Sequence, residues 1–169
     1  MGNHALKMYH YHIWANEVII NRLKELPQEL YHKEIQSGFS SISKVLTHIY
    51  IVDCLWFDII IGNNRNEAFA KAEQSKEQLE TKDIEELDTK FVKLSEDYIV
   101  YLNQQEDLER VIVVDNPYAG KLETSLTETL IHVVTHGSYH RGNIATMIRK
   151  MGFTSVMQDY GLYLYSNSK

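Results

Sequence analysis

Apolar residues near the start of the chain recur in steps of three and four with one gap: Leu6, Tyr9, Ile13, Ile20 and Leu23. That interval keeps side chains on one face of an α-helix, so it predicts an amphipathic first helix ending before Pro27. The gap falls at Asn16. An amide there either hydrogen-bonds inside the core and fixes register or faces a polar cavity, and the structural role is favoured. Pro27 opens a short turn through Leu30, and the polar residues 32–38 read as a loop. Ser41 has the character of an N-cap for a second helix over 42–61, whose stripe is Val45, Ile49, Val52 and Trp56 and whose stop is Gly62.

Residues 62–80 are polar with little periodicity and read as a long crossover loop, which frees the next helix from packing beside its predecessor. Asp83 and Glu86 then have capping-box spacing. Ile84, Leu87, Phe91, Leu94, Tyr98 and Tyr101 follow at alternating steps of three and four, predicting a third helix over 84–103. The β-branched run at 110–115 lies across NPYAG from 121–124, which predicts a small hairpin. Ser125 and Glu128 start a fourth helix that runs to Met151 and ends at Gly152. The aromatic tail, with Tyr160, Tyr163 and Tyr165 near Leu162 and Leu164, either packs on the helices or reaches a partner, and packing is favoured.

The chain of 169 residues fits a single domain that can bury a core without disulfides or a structural metal. Any bound metal is then more readily functional than structural. A formal charge of −6 disfavours nucleic acid, whose phosphates demand a basic face. One cysteine, Cys54, precludes an intrachain disulfide and points to the cytoplasm. It reads as a small buried filler, since no neighbouring base marks a lowered thiol pKa. The start has no signal-peptide pattern, and no apolar run reaches the roughly 20 residues needed to cross a bilayer.

The candidate chemistry lies in the fourth helix. His136 and His140 are four residues apart, one above the other on a helical face, the spacing with which two imidazoles grip one ion. Val133, Ile144, Met147 and Ile148 turn this helix inward. Two histidines are also common as core residues, so a site needs a third ligand. His48, between Val45 and Val52 on the second helix, is the best-placed candidate. His10 and His12 point to opposed sides of their helix and do not share an ion. Asp53 is offset about 140° from His48; it either orients a neighbouring group or is solvated, and solvation is favoured. Arg141 is expected to be a surface ion-pair residue.

Several segments together resemble the DinB/YfiT-like superfamily of metal-dependent enzymes, distinct from the DNA polymerase that shares the DinB name. They are WANEVII at 14–20, SISKVLTHIYIVDCLWFDIIIG at 41–62, HVVTHGSYHRGNIATMIRKMGF at 132–153 and the closing QDYGLYLY at 158–165. The resemblance spans nearly the whole chain and is weakest over 63–115. It implies an all-α protein, a four-helix bundle with a long crossover connection and a small β-hairpin before the last helix. It also implies a divalent metal held by His48, His136 and His140, with His132 a neighbour rather than a ligand. Three neutral imidazoles leave an ion its charge and an open position, and zinc is expected first, nickel second. Members of the superfamily resembled here include thiol transferases and isomerases that use bacillithiol or mycothiol in stress or detoxification. A thiol-dependent transferase or isomerase acting on a small electrophile is therefore the leading expectation, with a homodimer implied. Metal-assisted hydrolysis is the alternative, weakened because Gly137, Ser138 and Tyr139 stand where an HExxH motif would carry its glutamate. A non-catalytic metal- or ligand-binding bundle is the third reading.

Overall fold

The structure, a computed structural model, describes residues 4–167. Its elements in chain order are α1 (His4–Lys24), α2 (Glu29–His32), α3 (Ile42–Ile60), α4 (Arg65–Glu80), α5 (Ile84–Asn103), β1 (Val111–Asn116), β2 (Gly120–Ser125), α6 (Leu126–Lys150) and α7 (Tyr160–Ser166). The long helices α1, α3, α5 and α6 make the bundle: α1 packs along α6 and α5, and α3 along α6 and α4.

Periodicity and burial agree along these helices. Tyr9, Ile20 and Leu23 of α1 are buried, and Ala15 and Ile19 widen the stripe beside Asn16, itself buried. In α5 the consecutive stripe positions Ile84, Leu87, Phe91, Leu94 and Tyr98 are all withdrawn from water, and Tyr101 is half-buried. At one end of the bundle Ile20, Leu46, Leu87 and Ile148 share a core; at the other, Tyr9, Tyr98, Leu130 and Val133 do. Full burial of such a side chain contributes roughly 1.5–3 kcal/mol, so these two clusters dominate the stability of the fold. Side chains of Ser41, Asp83 and Ser125 accept hydrogen bonds from the backbone N–H of Lys44, Glu86 and Glu128, which fixes the starts of α3, α5 and α6.

The crossover is helical, not a loop. Asn64 caps α4 by accepting from the N–H groups of Asn66 and Glu67, and Ala68, Ala72 and Leu79 form its buried face against α3. Alanine is a weak apolar signal but the strongest helix former, so a stripe built mostly from it escapes a search for large hydrophobic residues.

The hairpin runs antiparallel from Val111 opposite Ser125 to Asn116 opposite Gly120, one residue longer at the turn than the β-branched pattern suggests. Asn116 Oδ1 accepts from the N–H groups of Tyr118 and Ala119, and Gly120 takes φ 83°, a conformation glycine adopts without steric cost. The aromatic tail packs on the bundle through part of its length: Asp159 caps α7, Tyr163 is buried against Tyr11, Trp14 and Val134, and Tyr160 is half-buried beside them, whereas Leu164 and Tyr165 face solvent.

Candidate metal centre

His48 projects from α3 toward α6, where His136 and His140 lie on successive turns. One nitrogen from each ring falls within 4.8 Å of the others. The Nε2 atoms of His48 and His136 are 3.1 Å apart. Two ligands at ~2.0–2.1 Å from a tetrahedral zinc are themselves separated by a little over 3 Å, so the three rings fit a divalent ion with small adjustments. No carboxylate or thiolate joins this group among the described residues.

Electrostatics favour neutral rings. Burial, with the neighbouring His140 and His48 next in weight, pulls the pKa of His136 down to about 3. Burial and then His48 lower His140 to about 4, and burial lowers His48 as well. A neutral imidazole has a lone pair to offer a metal and a protonated one does not, so the rings are held in the ligating form at neutral pH.

Aromatic side chains enclose the cluster. Phe39 lies 5.2 Å from His48 and 5.5 Å from His140, centroid to centroid, and Tyr139 meets His140 edge-on at 5.0 Å. On the opposite flank His132 is 6.1 Å from His136 and stacks edge-on against Trp56 at 4.8 Å. His132 thus sits beside the three-histidine group and outside it.

Between α6 and α1 lies a buried polar network. His12 donates from Nε2 to Asp53 Oδ2 at 2.8 Å. Arg141 Nη1, which can only donate, is 3.3 Å from His12 Nδ1 and 2.8 Å from Asn16 Oδ1, so Nδ1 of His12 is the accepting nitrogen. Asp53 and Arg141 are 2% and 1% exposed. Both therefore depart from expectation: Asp53 is not solvated, and Arg141 is not a surface ion-pair residue. Two opposite charges withdrawn from water require compensation, and each supplies it to the other through His12. Asn16, the gap in the first stripe, takes the structural role, and His12 is buried while His10 is exposed.

Gly137, between the paired histidines, makes this arrangement sterically possible. A Cβ there would stand 2.7 Å from His12 Nδ1 and 2.9 Å from Arg141 Nη1, and closer still to His12 Cε1. The network and the role of Phe39 were not read from sequence. The available signals were a glycine inside a strongly helical segment and a polar residue on an apolar stripe, which mark close approach but not the partner.

Cys54 is partly buried, and burial pushes its thiol up to about 12, which keeps it protonated and unreactive. No described helix is long and apolar enough to cross a membrane.

The DinB family model matches residues 1–169. A Bacillus subtilis (strain 168) relative, Protein DinB, is 51% identical over 165 residues, covering 98% of this chain and 96% of its own. The chain belongs to the DinB family. Among solved structures, a DinB-like protein from Bacillus cereus ATCC 10987 superposes with a TM-score of 0.62 at 16% identity, over 90% of this chain and 94% of that one. A DinB-like protein from Bacillus subtilis, YjoA, gives 0.61 at 21% identity, over 89% and 96%. At such identities these two neighbours support the DinB fold and nothing finer.

Proposed function

We propose that this DinB-family chain is a metal-dependent enzyme in which His48, His136 and His140 hold one divalent ion, zinc first and nickel second. It joins a low-molecular-weight thiol such as bacillithiol to a small electrophile, or isomerises such a substrate, in stress response or detoxification. The observation that carries this reading is the donor set: three neutral nitrogens within 4.8 Å of one another and no anionic ligand among them. A divalent ion so held keeps its full charge and supplies Lewis acidity, which lowers the pKa of a coordinated thiol or water.

The chain's own residues then bind and orient. His48 from α3 and the His136/His140 pair from α6 set the ligand geometry, and Phe39 and Tyr139 border it on one side. A thiol brought from outside is required, because burial of Cys54 keeps it from acting as nucleophile. Hydrolysis is less well supported. It needs a general base beside the ion, and Asp53, a carboxylate on the same helix as His48, is committed through Oδ2 to His12. The homodimer implied by family resemblance and a cytoplasmic location belong to the same proposal; sedimentation of the purified chain checks the first.

Elemental analysis of untagged protein tests the site. About one divalent ion per chain is expected, falling sharply in folded His48→Ala, His136→Ala and His140→Ala variants. Metal-loaded protein should then accelerate consumption of bacillithiol by chlorodinitrobenzene, and the same variants should not. Tight metal binding without turnover for any thiol and electrophile would instead favour the non-catalytic bundle.

A further inference from the structure

The hairpin β1–β2 has no role in the three-histidine cluster, yet it closes a cleft of about 510 Å³ against α3 and α6. We propose that this cleft is the substrate subsite of the centre and takes a small planar electrophile, aromatic or conjugated, with a carbonyl or nitro oxygen. The inference rests on the reading that the histidines hold an ion.

The cleft leads toward the cluster. Trp56 and His132, which form part of its wall, stack at 4.8 Å, and the His132 ring is 6.1 Å from that of His136. Residues four apart on α6 are separated by ~6 Å along its axis, so a molecule lying against His132 reaches the level of the ion with its next ring or bond. On the other flank Phe39 lies beside His48 and His140, and Tyr139 stands against His140.

Its walls match the proposed ligand. Trp56 and His132 present flat π surfaces, and Val114 and Leu122 from the hairpin supply apolar contact on the facing side. Leu122, on that wall, is 56% exposed and open to a ligand. Asn116, Thr124 and Lys121 add polar groups able to donate to an oxygen-bearing substituent, and Glu128 and Thr129 border the same wall. The volume lies within the ~300–1,000 Å³ range of small-molecule sites.

The chain has two tryptophans, so Trp14→Phe leaves Trp56 as the sole strong fluorophore. Zinc-loaded Trp14→Phe protein is titrated with para-nitroacetophenone, a planar carbonyl compound without a leaving group, with correction for absorbance. Saturable quenching of Trp56 is expected. Adding Leu122→Asp, at an exposed position where folding tolerates a charge, is expected to weaken that binding at least tenfold while zinc per chain and the melting temperature stay unchanged. His132→Ala should weaken it likewise. Linear, non-saturating quenching, or saturation that neither substitution alters, would overturn the assignment. Absence of zinc uptake by the parent would sink the metal reading instead, and the quenching titration would still report whether the cleft binds.

Discussion

Gly137 sits where two requirements collide. Alanine in a helix interior is favoured over glycine by about 1 kcal/mol, so an exposed helix would gain from Gly137→Ala. Here the new methyl would meet the His12 ring and Arg141, neither free to move because each is tied to Asn16 or Asp53. Overpacking of that kind costs about 1–3 kcal/mol, and disturbing the network adds to it. Gly137→Ala should therefore lower the urea midpoint, the reverse of the usual helix result. Asp53→Ala is expected to be worse, about 3–5 kcal/mol by urea denaturation, because it strands Arg141 as an uncompensated buried charge. His136 and His140 were legible from their four-residue spacing, and His48 from its place on an apolar stripe. Asp53 was not. A helical wheel gives its angle relative to His48 but not what stands in that direction: His12 of α1 receives its carboxylate, and Tyr98 of α5 donates to its backbone carbonyl at 2.8 Å.

Elements with large side chains on their stripe declared themselves, and α4 did not. Its inward face is Ala68, Ala72 and Leu79, so a single leucine supplies most of its apolar anchoring. Leu79→Ala should cost about 2–4 kcal/mol, measured by chemical denaturation, whereas the same change in a solvated crossover loop would stay within about 0.5 kcal/mol. The hairpin was legible because β-branched residues flank a turn-forming NPYAG. Its docking was not, since alternation along a ribbon says which face is apolar and not which helix receives it. α5 needed no such partner information: six large residues at helical intervals outweigh any competing local structure.

Taken as a whole, the molecule couples its stability to protons through the histidine cluster. The folded-state pKa values of His136 and His140, about 3 and about 4, lie below the ordinary imidazole value. Between those values and about 6.5 the unfolded chain binds more protons than the folded one, so stability is full above that range and declines as pH falls. Melting of metal-stripped protein should show the decline already between pH ~7 and ~5, and His136→Ala should flatten it. Metal uptake should fall with pH in the same direction but with a shallower slope. Rings that stay neutral compete little with protons, so affinity should change far less over the same range than the more than thousandfold expected for three ordinary imidazoles at about pH 5. Isothermal titration at several pH values checks this.

His48 and His136 are 88 positions apart in the chain. An ion gripping both acts as a reversible cross-link, closing a long stretch of polypeptide the way a disulfide does but at the discretion of the surrounding metal supply. At a free-ion concentration a hundred times the Kd, the folded state gains about 2.7 kcal/mol. A chelator should accordingly hasten proteolysis of the wild-type chain and leave the rate for His48→Ala unchanged. If the three histidines hold an ion as proposed, unloaded copies in a metal-starved cell would open more often and be degraded first, so the abundance of this protein would itself gauge the supply of that ion.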